Sequence, residues 1–243
     1  MAFGQTIMGK FGWEKTTTTA QKHKLGTRMQ IFDREFVYAS TGEAITVGKL
    51  VMGKAGTAAH QVDLAVSAGS AGATTVTLSG SLSIAKDLYK DGFLIFNDVE
   101  EEGHMYRVKG NTLVASATGC VVTLDEEDGL VSAITTSQQV GLYENPYKAV
   151  EAQDANDIDH APLGWTCADI ASGSYGWLCV KGFTAALIEG TPGAGLPLVA
   201  SNSADGSVEI LDSDDDGEGT IVAYMGPIAG VNGEYGLIKA NLE

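Results

Sequence analysis

The sequence predicts an all-β protein: antiparallel β-barrel or sandwich modules with an extended N-terminal arm and few short helices. Three observations lead there. Glycine is abundant at 31 of 243 residues, proline is scarce at 5, and Val, Thr and Ile are plentiful, a balance that favours strands and tight turns. The apolar runs are short and are bounded by Gly, Ser or Asn, as strands are. The stretch from Leu163 to Val199 shows this grammar most densely. It holds two of the three tryptophans, Trp165 and Trp177, each directly after a glycine.

Residues 1–25 show little periodicity. Phe3, Phe11 and Trp13 are scattered among glycines, then come Thr16-Thr17-Thr18-Thr19 and Gln21-Lys22-His23-Lys24. Such a segment forms no core of its own. Its aromatics suit an extended arm that orders on a neighbouring subunit, where aromatic anchors are preferred.

From Arg28 the pattern becomes regular. Met29–Phe32 and Glu35–Tyr38 flank Asp33-Arg34 and predict a hairpin. Ala44–Met52 reads as a further strand pair, loosened after Gly53. Residues 61–145 read as a separate small barrel or sandwich. Within it Thr74–Leu78 alternates, Phe93–Phe96 is a buried strand, and Ile84–Tyr89 is the best candidate for a helical turn. His104–Lys109 places Met105, Arg107 and Lys109 on one side and His104, Tyr106 and Val108 on the other. Gly119–Leu124 and Gln139–Tyr143 complete the unit, and Asn145-Pro146 is its exit, because proline holds its predecessor out of the α region. Residues 146–243 carry the tryptophan stretch, then Ser207–Leu211, Gly219–Met225 and Tyr235–Lys239. A short echo between Gly48–Val51 and Gly195–Val199 points to one sheet system shared by 26–60 and 146–243, with 61–145 inserted.

The net charge of −16 is unevenly distributed. Residues 1–60 carry eight Lys/Arg against four Asp/Glu, and residues 61–243 carry seven against twenty-seven. The basic excess sits in Lys10, Lys15, Lys22, Lys24 and Arg28, interrupted only by Glu14. With Phe11 and Trp13, these residues are the candidate surface for contact with a partner or neighbouring subunit. The acidic remainder repels phosphates and argues against direct nucleic-acid binding. No apolar run approaches the length of a membrane span. The first residues lack the features of a secretory signal, so the expectation is folding in a cytoplasm.

Few motifs point to chemistry. Cys120, Cys167 and Cys179 are odd in number and widely spaced, which fits buried free thiols, with a Cys167–Cys179 cross-strand pair as the alternative. Asp212-Ser213-Asp214-Asp215-Asp216-Gly217 matches the opening of a calcium loop, but its twelfth position is Ala223 and Glu218 comes too early. An acidic hairpin tip is the preferred reading, and no metal or cofactor is expected. His23, His60, His104 and His160 are far apart. Asp154, Asp157, Asp159 and His160 would supply acid and base only if they converged, and no nucleophile elbow, zinc-helix motif or phosphate loop occurs. Trp165, Tyr175 and Trp177 offer a carbohydrate-stacking platform, against which packed core is the preferred reading. An enzyme is not expected.

Several tracts resemble structural proteins of tailed bacteriophages: Gly26-Thr27-Arg28 with Phe36–Ala39, Asp91–Asp98 with Gly103–Lys109, and Asn145-Pro146-Tyr147. Ala171–Trp177 with Gly195–Val199 is similar to the β-barrel of capsid decoration, or head cement, proteins. That resemblance implies a non-catalytic homotrimer on the outer surface of an icosahedral head, contacting the major capsid protein and bracing neighbouring capsid subunits. The basic arm would run across the capsid or a neighbouring trimer, and its deletion would leave the β body folded. Another virion component, such as a head fibre, tail part or receptor-binding module contacting host glycans, is the alternative; a hydrolase domain is the third.

Overall fold

The structure is a computed structural model that describes residues 6–80, 83–114, 119–155, 160–211 and 220–242. The chain is all-β. Among the described residues its helical segments are three 3-10 turns, Trp13–Lys15, Ala58–His60 and Val99–Glu101. It divides into two compact units, residues 1–54 with 146–243 and residues 55–145. The first crossing lies at 54/55, ahead of the 60/61 read from the sequence. His60 explains the difference: it is buried in the second unit, with Nδ1 2.6 Å from the Tyr89 hydroxyl.

The first unit begins with β1 (Ile7–Met8), β2 (Arg28–Ile31), β3 (Arg34–Ser40) and β4 (Leu50–Met52). The expected hairpin forms, but Ile31 pairs with Arg34, so the turn is Phe32-Asp33 rather than Asp33-Arg34. Of the strand pair expected over 44–52 only β4 is a strand; Ile45 makes a single bridge to Ile170, and Gly48 intervenes with φ +73°.

The second unit contains β5 (Leu64–Ala65), β6 (Thr75–Leu78), β7 (Phe93–Phe96), β8 (Met105–Asn111), β9 (Cys120–Leu124) and β10 (Gln139–Tyr143). Their order is β5-β10-β7-β8-β9-β6, every pairing antiparallel. A further bridge from Val66 to Leu78 joins the two ends, so the sheet closes into a barrel and loses its open edges. Strand alternation fills the interior: Leu94 and Phe96 from β7, Tyr106 and Val108 from β8, Val122 and Leu124 from β9 share one core. Gly141 is required by packing, because a Cβ there would lie 2.1 Å from the Gln61 carbonyl oxygen. The helical turn expected at Ile84–Tyr89 is absent. Ile84 bridges Val114, and the following turn places Asp87 and Asp91 at φ 56° and 63°, a left-handed backbone that a right-handed helix excludes.

The chain then re-enters the first unit through β11 (Glu151–Ala152), β12 (Pro162–Thr166), β13 (Tyr175–Leu187), β14 (Pro197–Ala200), β15 (Val208–Ile210), β16 (Ala223–Met225) and β17 (Tyr235–Asn241). All belong to one sheet with β1–β4. The thirteen-residue β13 is its axis. Its first half pairs with β3, from Tyr175↔Ser40 to Cys179↔Phe36, and its second half with β17, from Lys181↔Asn241 to Leu187↔Tyr235. A register shift between Cys179 and Lys181 separates the halves, as a bulge does when a strand bends. Gly182 follows it at φ +92°, where a Cβ would also lie 2.7 Å from the Asp33 carbonyl oxygen. The first half of β13 is buried on both faces and the second alternates. Trp177 and Cys179 pack with Met29, Phe36 and Tyr38, while Ala186 packs with Trp165, Leu198 and Ile238. A parallel bridge from Ile188 to Val208 returns the path β13-β17-β16-β14-β15 to the end of β13.

Candidate docking surface

The N-terminal segment is extended and lies along its own unit. β1 pairs in parallel with β2, Ile7 against Met29 and Met8 against Gln30. Thr18 and Tyr175 exchange both backbone hydrogen bonds, at 3.0 and 2.8 Å. Between these ties Glu14 is buried. Its Oε2 accepts from the Gly12 backbone N–H at 2.7 Å, and its Oε1 accepts from Arg34 Nη2 at 3.1 Å. The Arg34 guanidinium lies 5.1 Å from the centre of the Phe36 ring. This ion pair, with its carboxylate buried, thus pins the Trp13–Lys15 turn to the first residue of β3.

Beneath the segment lies an aromatic cluster. Tyr38 stacks on Tyr175 at 5.9 Å and meets Trp177 edge-on at 5.1 Å; His23 lies 5.4 Å from Trp177. The Tyr38 hydroxyl accepts from the Lys22 backbone N–H at 3.1 Å. Trp177 is 6 % exposed and Trp165 fully buried, so the proposed carbohydrate platform has no accessible tryptophan face. Both are core. The Trp165 indole Nε1 finds no acceptor among the described residues.

On its outer side the segment displays apolar groups. Phe11 and Phe32 stack at 4.7 Å with ring planes 21° apart, and are 68 % and 71 % exposed. Phe32 projects because the hairpin turn holds it at φ 54°, an uncommon backbone for a bulky residue. Met8 and Trp13 are exposed on the same segment. Lys10, Lys15, Lys22, Lys24 and Arg28 are all exposed. Arg28 is drawn toward Glu35 at 3.6 Å, which Lys181 also approaches at 3.2 Å. Of the residues singled out from the sequence, Lys10, Phe11, Trp13 and Lys15 therefore lie on or beside the 3-10 turn, and Lys22, Lys24 and Arg28 further along the chain. Phe32 was missed because the sequence places it inside β2. The turn at Phe32-Asp33 takes it out of the strand, and alternation with the buried Met29 and Ile31 already aims it away from their core.

Among the described residues the remaining sequence candidates form no common site. His60 is bound to Tyr89 and His104 to Glu101; His23 lies in the aromatic cluster. Asp157, Asp159 and the Asp212–Gly217 tract fall outside the described residues. Among the described residues no three His, Cys, Asp or Glu are grouped to hold a metal ion. Cys120, Cys167 and Cys179 are free. Trp165, not Cys167, stands opposite Cys179 in the ladder, and the cross-strand pair does not form. Burial pushes all three thiols up, Cys179 to about 11, so they stay protonated.

The second unit holds a polar centre that the sequence concealed inside an acidic run. Glu101 is 0 % exposed. Its Oε2 accepts from the Tyr106 hydroxyl at 2.7 Å and lies 2.5 Å from His104 Nδ1, and its Oε1 accepts from the Ser132 backbone N–H. Burial pushes the carboxyl up, but those hydrogen bonds outweigh it and the net shift is downward. The Tyr106 hydroxyl also accepts from the Val131 backbone N–H at 3.0 Å. The carboxylate therefore ties the Val99–Glu101 turn, β8 and the 131–132 segment together.

No helix among the described residues is long and apolar enough to cross a membrane. Compared with known proteins, the chain matches no protein-family model, no curated protein and no solved structure.

Proposed function

We propose that this chain is a structural virion protein that decorates the outside of a tailed-phage head and acts by contact rather than catalysis. The observation that carries the reading is the exposed Phe11–Phe32 stack, with exposed Lys10 and Lys15 close to Phe11 in the chain, on a protein whose net charge is −16. Two adjacent aromatic side chains left in water are costly unless a partner covers them. Lysines on the same segment favour an acidic partner and speed its encounter. The phage tracts quoted from the sequence direct the choice to a capsid surface and to oligomers of this chain.

Co-sedimentation with purified expanded heads tests it. The wild-type chain pellets with heads, less so at high salt, and the variant Phe11→Ala with Phe32→Ala stays in the supernatant. A chain that ignores heads at every salt concentration overturns the reading; binding on a glycan array instead moves it to a receptor-binding component.

A further inference from the structure

The basic aromatic surface has a counterpart in charge and chemistry on the second unit. Three apolar residues are exposed around the turn and strand that Glu101 and Tyr106 hold: Val99 at 48 %, Met105 at 58 % and Val131 at 68 %. Their backbones are held in place. Val131 donates to the Tyr106 hydroxyl at 3.0 Å, its neighbour Ser132 donates to Glu101, and Met105 pairs with Ile95. Acidic residues border them in sequence and in space. Asp98 and Glu102 flank the turn, and Asp125–Asp128 runs up to Gly129. That second run is tied to the same strand: Glu126 Oε1 accepts from the Arg107 backbone N–H at 2.7 Å, and the Asp125 N–H donates to the Arg107 carbonyl at 2.8 Å. Glu127 and Asp128 are exposed. Arg107 and Lys109 share Met105's face of β8, Arg107 lying over the Phe93 ring at 4.9 Å; no other Lys or Arg occurs from 92 to 147.

We propose that the Phe11–Phe32 surface of one copy docks on this acidic apolar end of the second unit of another copy. The inference rests on reading the N-terminal segment as an assembly surface, and it names that surface's occupant as a second copy. Each side supplies what the other lacks: Phe11, Phe32 and Met8 with Lys10 and Lys15 on one, and Val99, Met105 and Val131 with Glu127 and Asp128 on the other. Burying apolar side chains supplies affinity, while opposite charges set orientation and reject like surfaces. The two surfaces differ, so the contact is heterologous and each copy keeps one of each kind available, which builds rings or chains rather than an isologous dimer.

Sedimentation velocity on the isolated protein, without capsids, tests this. Wild type shows concentration-dependent association that weakens as salt is raised. The variant Lys10→Glu with Lys15→Glu and the variant Glu127→Lys with Asp128→Lys each weaken association by on the order of tenfold or more, with unchanged circular dichroism. Mixing the two variants restores it, because each now finds its opposite on the other chain. A wild-type monomer at all concentrations, or variants whose mixture stays apart, overturns the proposal. A wild-type chain that binds heads yet never self-associates overturns this inference while leaving the proposed function standing.

Discussion

The Tyr106 hydroxyl donates to the Glu101 carboxylate at 2.7 Å, and both side chains are buried. Burial, the largest cause, pushes the phenol up to about 12, so it remains a neutral donor throughout the ordinary pH range. Glu101 shifts the other way, downward from its ordinary value of 4.5. A carboxyl whose folded pKa is depressed adds stability above its unfolded pKa and loses it as pH falls through the folded pKa. The second unit therefore melts at progressively lower temperature as pH drops below about 4.5. Tyr106→Phe removes one of the stabilising hydrogen bonds, costs about 1–3 kcal/mol at neutral pH, and flattens that acid dependence. Thermal melts across pH check both; a Tyr106→Phe variant with the wild-type acid slope contradicts the assignment.

Glu14 and Arg34 form the pin of the N-terminal segment. Arg34→Ala leaves a buried carboxylate without its cation and costs about 3 kcal/mol. Glu14→Gln with Arg34→Ala costs less than the single change at Arg34, because no charge is stranded. Amide exchange of Trp13–Thr16 reports the release locally: these amides exchange faster in Arg34→Ala while the β8 amides do not.

Phe32 sits at φ 54°, where glycine is unstrained. Phe32→Gly keeps or raises the melting temperature, by up to about 1 kcal/mol of stability, while removing half of the exposed aromatic stack. Stability and association then move in opposite directions. Melting and sedimentation on the same sample read both, and a marked loss of stability argues that Phe32 serves folding.

Removing residues 1–25 no longer leaves an intact body as the expected outcome. Leu25 packs with Met29 and Trp177 in one core, and the Lys22 backbone supports the Tyr38 hydroxyl. Deletion uncovers apolar side chains, each worth about 1.5–3 kcal/mol when fully buried. The truncated chain shows red-shifted tryptophan emission and a lowered melting temperature; an unchanged melt refutes the packing role of the segment.

The elements that were legible are those whose cause is local. Phe93–Phe96, the shared face of Tyr106 and Val108, the strand at Tyr235 and the core role of Trp177 follow from period-two alternation and from the glycines between short apolar runs. The basic character of the N-terminal segment was equally plain, and its Lys10, Phe11, Trp13 and Lys15 lie on or beside the 3-10 turn, Phe11 forming half of the stack. The role of Phe32 was not legible, because its stacking on Phe11 joins residues far apart in sequence and several turn types fit Phe32-Asp33-Arg34.

Composition and alternation act over a few residues, and they suffice for the all-β character, most strand positions and the charge asymmetry. The burial of Glu14 and Glu101 arises only once the chain is folded. Their partners, Arg34 and Ser132, lie 20 and 31 residues away, and a carboxylate leaves water only where distant donors converge on it. Barrel closure was decided the same way, through bridges between Val66 and Leu78 and between Ile188 and Val208. Such pairings depend on how the strands curve toward each other, and no short window of sequence records that curvature.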